Sequence, residues 1–259
     1  MGKFERDYKI VTDILKKSVI DHDDRVKLLS VYNVSYHDTG KIELMHSCDS
    51  SCNNCSFCKT IREKGKDNPF VICNYCYDDA QEKRWKAVKD RHGLNLLIMK
   101  SVRFTVDELA TLPIGSLCRI NSSGDIDNDI QAENMLNIAF SHPSTRFGLF
   151  TKNVSPVIRA TDKLGKPANM KYIQSSILIG TPAKRAKYFD IVFTVYATEE
   201  ELQKALDNGA CECNGKKCKD CGFKCYTENG WATGSNVAEY LRISGKKQRE
   251  ELLKKLGLN

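Results

Sequence analysis

Two stretches, Leu117-Cys-Arg-Ile-Asn121 and Arg146-Phe-Gly-Leu-Phe150, flank the apolar-periodic segment Asp129–Phe140, and their reading decides the fold. The outer two are short apolar runs bounded by Ser, Gly, Asp and Thr, and they predict strands. The middle segment repeats its apolar residues at helical spacing. The rhythm continues with a helix over Pro156–Leu164, a strand over Tyr172–Ile179, a short helix over Ala183–Tyr188, a strand over Ile191–Tyr196 and a helix over Glu199–Leu206. Strands that alternate with helices in this way imply an α/β protein with a parallel sheet, either open or closed into a partial β/α barrel. About five or six strands are expected, too few for an eight-stranded barrel.

Upstream, residues 4–20 place Tyr8, Ile10, Val11, Ile14, Leu15 and Val19 at the spacing of an amphipathic helix. Asp38-Thr-Gly40 marks a turn between short strands, and Lys41–His46 leads into Cys48. Lys59, Arg62, Lys64 and Lys66, with Gly65 and Pro69, read as a basic surface loop. Val71-Ile-Cys73 reads as strand or turn, and Tyr75–Arg91 as a helix that Leu94–Met99 continues. Downstream, Asn236–Ile243 and Gln248–Leu256 predict closing helices, the second with its lysines on a solvated face. The expected organisation is an N-terminal helix and lead-in over 1–46, an α/β core with a first cysteine cluster over 47–209, a second cluster over 210–232, and C-terminal helices over 233–259.

Of the 12 cysteines, Cys48, Cys52, Cys55, Cys58, Cys73 and Cys76 form a first group and Cys211, Cys213, Cys218, Cys221 and Cys225 a second, while Cys118 stands apart. The start, Met1-Gly-Lys-Phe-Glu-Arg6, shows no apolar stretch of a secretory signal. A cytoplasmic location is therefore expected, where clustered cysteines hold metal rather than disulfides. Two metals compete for the first group. Cys48-x3-Cys52-x2-Cys55 can wrap a [4Fe–4S] cluster with three thiolates and leave one iron open. Cys52-x2-Cys55 or Cys55-x2-Cys58, combined with Cys73-x2-Cys76, has the spacing of a four-thiolate zinc site. Four of the five later thiols suffice for zinc or for an auxiliary cluster. Gly215 and Gly222 permit tight turns there, and Lys216, Lys217, Lys219 and Lys224 offset the negative charge of the sulfurs.

The formal net charge of +7 counts every thiol as neutral. Two four-thiolate sites of about −2 each would bring it to roughly +3, so the basic balance gives little support to nucleic-acid binding. The apolar runs are too short to span a bilayer.

Arg119-Ile-Asn-Ser-Ser-Gly-Asp125 closes the first strand of the alternating region. Arg119 and Asn121 share one face of it, and a polar pair on a central strand is costly to bury without partners. Gly124-Asp125 falls just past the strand's carboxyl end, where α/β folds place ligands. Phe150-Thr-Lys-Asn153 ends the next strand in the same manner. Lys152 is expected to pair with Asp125 or to bind a carboxylate or phosphate. Arg119, Asn121, Ser123, Gly124, Asp125 and Asn153 are thus the candidate ligand-binding residues, with Asp125 and Lys152 the candidate catalytic pair.

The cysteine run ending Cys73-Asn-Tyr-Cys76-Tyr77, the segments Arg119–Asn128 and Phe147–Asn153, and the late cysteine group together resemble the gene-product-88-like proteins of bacteriophages and prophages, over roughly residues 28–232. That resemblance implies a phage or mobile-element origin and the host cytoplasm. A second resemblance, to the radical S-adenosylmethionine superfamily, rests on Cys48-x3-Cys52-x2-Cys55, on the strand–helix alternation after it, and on Gly124-Asp125. The superfamily carries an aromatic residue before its third cysteine, where this chain has Asn54. It implies a cluster whose open iron binds S-adenosylmethionine, with Asp125 holding the methionine amino group. Asn121 and Arg119 would then orient the ligand, and Lys152 would bind an anionic group of an unknown substrate. The competing expectation is a zinc-stabilised, non-enzymatic phage protein that binds nucleic acid or a host factor through its lysine-rich loops.

Overall fold

Strand and helix alternate through the computed structural model, which describes residues 2–213, 217–241 and 246–258. The order is α1 (Lys3–Leu15), α2 (His22–Val31), β1 (Ser35–His37), β2 (Met45–Cys48), α3 (Ser56–Lys64), α4 (Tyr77–Arg84), α5 (Lys86–Ser101), α6 (Val106–Leu109), β3 (Leu117–Ile120), α7 (Asp129–Ser141), β4 (Arg146–Thr151), α8 (Val154–Leu164), β5 (Met170–Ser175), β6 (Ile191–Tyr196), α9 (Glu199–Asp207), β7 (Cys211–Cys213), β8 (Asn236–Tyr240) and α10 (Lys246–Leu256).

The eight strands form one sheet in the order β1-β2-β3-β4-β5-β6-β8-β7. β1 pairs antiparallel with β2; every other pairing is parallel. From β2 to β6 the strands lie side by side in chain order, and the sheet reverses direction only at the end, where β8 inserts between β6 and β7. Its edges, β1 and β7, are not joined, and of the two forms expected it takes the open one. Three helices start on side-chain caps: Asn128 accepts from Gln131 N at 2.9 Å to open α7, Asp21 opens α2, a helix not expected from the sequence, and a Thr198–Glu201 capping box opens α9.

Period-two alternation sends each strand's side chains to two different cores. Cys118, Ile120, Phe147, Leu149, Met170 and Tyr172 pack against helix residues such as Leu94, Ile98, Met135 and Leu136. Leu117, Phe150, Ile173, Ile191, Phe193 and Val237 point the other way, against Tyr226, Trp231 and the second group of cysteines. A parallel sheet needs cover on both faces. Here a helix layer covers one, and the segment 211–231 covers the other.

Several local expectations are corrected. The basic loop over 59–66 is largely the helix α3, because Phe57 and Cys58 supply an apolar side that packs on Leu96. The long helix over 75–99 breaks at Trp85, whose backbone is extended, into α4 and α5. No helix forms over 183–188; the Gln174 side chain holds that segment through Ala186 N at 2.8 Å and Lys184 O at 3.2 Å. Asn236–Tyr240 is a strand rather than a helix. It fills the slot between β6 and β7 and fully buries Val237 and Ala238. The rest of that expected helix, residues 242–243, lies outside the described residues. The one sheet also takes strands from 35–48 and from 211–240, on both sides of the expected core of 47–209.

Candidate metal centre

β2 ends at Cys48 on the carboxyl edge of the sheet, and the chain then loops through Asp49, Ser50 and Ser51 to Cys52. Glu82, on α4 and 1% exposed, fixes this loop. Its carboxylate accepts from Cys52 N at 3.1 Å, Asn53 N at 3.2 Å, Ser51 Oγ at 3.0 Å and Asn53 Nδ2 at 2.8 Å. Nothing in the sequence marked Glu82. Asp49 ties the same loop to the end of β3, accepting from Ser123 N at 3.0 Å and from the Ser122 hydroxyl. Ser56, just past Cys55, donates from its backbone N to Asp127 at 2.6 Å.

Five of the six early thiols gather here. Cys52 Sγ lies 3.4 Å from Cys76 Sγ. Cys58 lies close enough to Cys52 and Cys55 for both to perturb its ionisation, and Cys73 is buried near Lys152, Asp125 and Cys52. Arg62, one helical turn beyond Cys58 on α3, donates Nη2 to Cys52 Sγ at 2.9 Å. Cys48 lies elsewhere. Its sulfur is 3.8 Å from Cys118 Sγ in the helix-side core.

Hydrogen bonds from Cys58 and Cys76, aided by Arg62 and Lys152, hold the Cys52 thiol well below its usual range despite its burial. The same bond to Cys52, together with burial, pushes Cys58 and Cys76 up. Burial also raises Cys73, against the pull of Lys152. A bound cation would favour the ionised form of the thiols that are raised. Burial disfavours the Lys152 ammonium, but Asp125, Cys73, Cys58 and Cys76 outweigh it and hold Lys152 above its usual range. Among the described residues, no three or more His, Cys, Asp or Glu side chains already surround a point fit for a metal ion. The sulfurs touch in pairs rather than radiating from a centre. All the cysteines are free thiols, and a soft, buried, multi-thiol donor set suits zinc or an iron–sulfur cluster.

The polar residues expected to face a ligand are mostly turned inward. Asp125, 1% exposed, accepts from Ile126 N at 2.8 Å, Lys152 N at 3.0 Å and the Thr151 hydroxyl. Asn121 adopts a left-handed backbone (φ 60°) and donates to Phe150 O at 3.2 Å. Asn153 donates to Ile126 O at 2.9 Å. Gly124, at φ 79°, lets Ser50 approach so closely that a Cβ would sit 2.3 Å from its carbonyl oxygen. These residues knit the loops after β2, β3 and β4 together. Ser123 also gives its N–H to Asp49, while its buried Oγ has no partner. Lys152 and Asp125 both act electrostatically on the thiols of the first group, but the Asp125 carboxylate is already taken up by the loops. A cleft of about 400 Å³ opens between the starts of α7 and α8, lined by Asp127, Asn128, Asp129, Asn153, Ser155 and Arg159; it meets the cysteine loop through Asp127, the acceptor of Ser56 N.

Arg119 serves the other face. Its guanidinium stacks 3.9 Å from the centre of the Phe150 ring, and its charge acts on Cys218, Cys225 and Tyr226 of the second group. In that group Cys213, Cys218, Cys221 and Cys225 influence one another electrostatically, and burial with Cys213 and Cys218 pushes Cys225 up to about 12. Cys221 Sγ is also 3.1 Å from Cys218 O. Gly222, in the left-handed region at φ 66°, makes the turn that follows. Cys211 lines the same core from β7.

Sheet and thiols together define a cysteine-rich α/β protein with a mostly parallel sheet. Residues 15–239 match the family model described as Gene product 88, and the chain belongs to that phage gene-product family. No curated protein and no solved structure matches it, so the likeness to radical S-adenosylmethionine enzymes has no match behind it. No helix among the described residues is long and apolar enough to cross a membrane.

Proposed function

We propose that this chain is an iron–sulfur protein of the phage-infected host cytoplasm, with a [4Fe–4S] cluster held by Cys52, Cys55, Cys58 and Cys76 at the carboxyl edge of the sheet. The supporting observation is that these four buried or half-buried thiols, drawn from two segments, cluster through the Cys52–Cys76 sulfur contact and mutual electrostatic influence beside two cations, Arg62 and Lys152. With Cys58 in the set and Cys48 outside it, the residue before the third cysteine becomes Phe57, which is aromatic, although the first spacing shortens to two residues. When bound, such a cluster supplies one-electron chemistry. If one thiol of the four stays off the metal, S-adenosylmethionine is the co-substrate we propose for the open iron, with the remaining substrate in the adjoining cleft. Asp125 is committed to the loops, so it leaves the methionine amino group to another acceptor. The second group, Cys213, Cys218, Cys221 and Cys225, holds a structural metal that fixes its segment over the sheet.

One distance favours a second reading, in which the chain is zinc-stabilised and binds nucleic acid or a host factor. The 3.4 Å between Cys52 Sγ and Cys76 Sγ is near the ~3.8 Å sulfur–sulfur edge of a four-thiolate zinc tetrahedron with bonds of ~2.3 Å. Anaerobic purification with iron, acid-labile sulfide and zinc quantified decides between them. Iron with sulfide, and a brown chromophore absent from Cys58→Ala, is the expected result. Zinc without sulfide in both groups would sink the iron–sulfur reading.

A further inference from the structure

We infer that Arg62 is a positioning residue that sets the charge balance, and hence the reduction potential, of the first metal centre, and that the group bound there carries its own hydrogen-bond acceptors. The inference rests on the iron–sulfur reading above and extends it to a residue outside the cysteine set.

Three observations converge on Arg62. Its Nη2 donates to Cys52 Sγ at 2.9 Å and lies 3.4 Å from Cys52 O. Its Nη1 pairs with Asp79 at 3.1 Å, and Asp79 is held in turn by Lys83 at 2.7 Å. The planar guanidinium is therefore held by both groups and cannot swing to solvent without breaking both contacts. The remaining donor, Nε, is buried with no partner.

A buried donor without an acceptor is unfavourable, so its native partner is expected to be something the chain itself does not supply. A bare zinc ion offers no acceptor. A cluster with inorganic sulfides does, and the orphaned Nε is a donor that one of them would satisfy. A permanent cation and an N–H bond on a ligand sulfur both stabilise the more negative, reduced state of a cluster and raise its potential.

The test uses the full chain with iron and sulfide quantified, and a mediated one-electron titration followed by electron paramagnetic resonance. Arg62→Gln should keep its iron and sulfide but show a lower midpoint potential than the parent. Arg62→Lys should fall between the two, because an ammonium keeps the charge and loses the fork. An intact cluster with the same potential in both variants overturns the role of Arg62. If Arg62→Gln assembles no cluster, Arg62→Lys decides: a lowered potential supports the role and the parental potential overturns it. A parent protein that takes up no iron and sulfide under anaerobic reconstitution defeats the iron–sulfur reading itself, and the Arg62 assignment with it.

Discussion

The two cysteine groups lean on the same sheet in different ways. The first sits at its carboxyl edge, with Cys52, Cys55, Cys58 and Cys73 no more than 6% exposed. Its loop is held by two carboxylates, Glu82 and Asp49, through main-chain N–H bonds. The second lies across a sheet face, and each of its thiols is only half-buried. Packing supports it without any metal: Tyr226 and Trp231 join the core beneath it, and Lys217 and Lys219 pair with Glu43 at the rim. The contrast separates two settings of one side chain. The first group's thiols gather where strand-end loops converge, whereas the second group's lie spread over a sheet face and add to the apolar cover it needs.

The largest expected effect breaks the comparison in one step. Cys58→Ala should abolish the iron-dependent absorbance, while Cys221→Ala should keep it and lower the thermal midpoint. Loss of colour in both variants would show that the groups act as one site. Next in size is Glu82→Ala. It strips the acceptor from two main-chain N–H groups of the first loop, and we expect a loss on the order of 3 kcal/mol by urea unfolding. A change near zero would mean the loop is not held from α4.

Two glycines sharpen the contrast further. Gly124→Ala drives a Cβ to 2.3 Å from a backbone oxygen at φ 79°, so about 2 kcal/mol or more should be lost, with the first group's spectrum altered. Gly148→Ala meets the Tyr226 ring at 2.6 Å, a side chain able to pivot, and should cost about 1 kcal/mol and leave that spectrum alone. The smallest effect is on pH dependence. Burial pushes Asp127 up, but Ser56 and Lys100 outweigh it and leave its carboxyl below the usual range. A depressed carboxyl contributes stability that is present above the unfolded value of about 3.9 and is lost as pH falls through the folded value. Asp127→Asn should therefore lower stability at neutral pH and flatten the acid limb, as read by unfolding at neutral pH and at about pH 3.

Much of this was legible in the sequence. β3, β4 and β6, with α7, α8 and α9, sit within a few residues of where periodicity and caps put them. α3 was obscured because its charges, Lys59, Arg62 and Lys64, are conspicuous and its apolar side is short. Reading Phe57 and Cys58 as a helix face would have placed Arg62 one turn beyond Cys58, and so over the cysteine loop. Asn236–Tyr240 carries apolar residues that suit either period, and only the slot beside β6 made it a strand. Glu82 sits in a helix of mostly polar residues and gave no signal at all.

By itself the sequence determined the alternation of strand and helix and the spacing of thiols within each loop, because both depend on residues a few positions apart. Which thiols meet was decided only in three dimensions. The pleat of β2 turned Cys48 towards Cys118, and α3 and α4 carried Arg62 and Glu82 back onto the loop at Cys52. Asn121, Asp125 and Asn153 were drawn into loop-to-loop hydrogen bonds. The reason is physical: a buried polar group takes whatever partner the packed loops bring within reach, and that partner is set by contacts far apart in the chain.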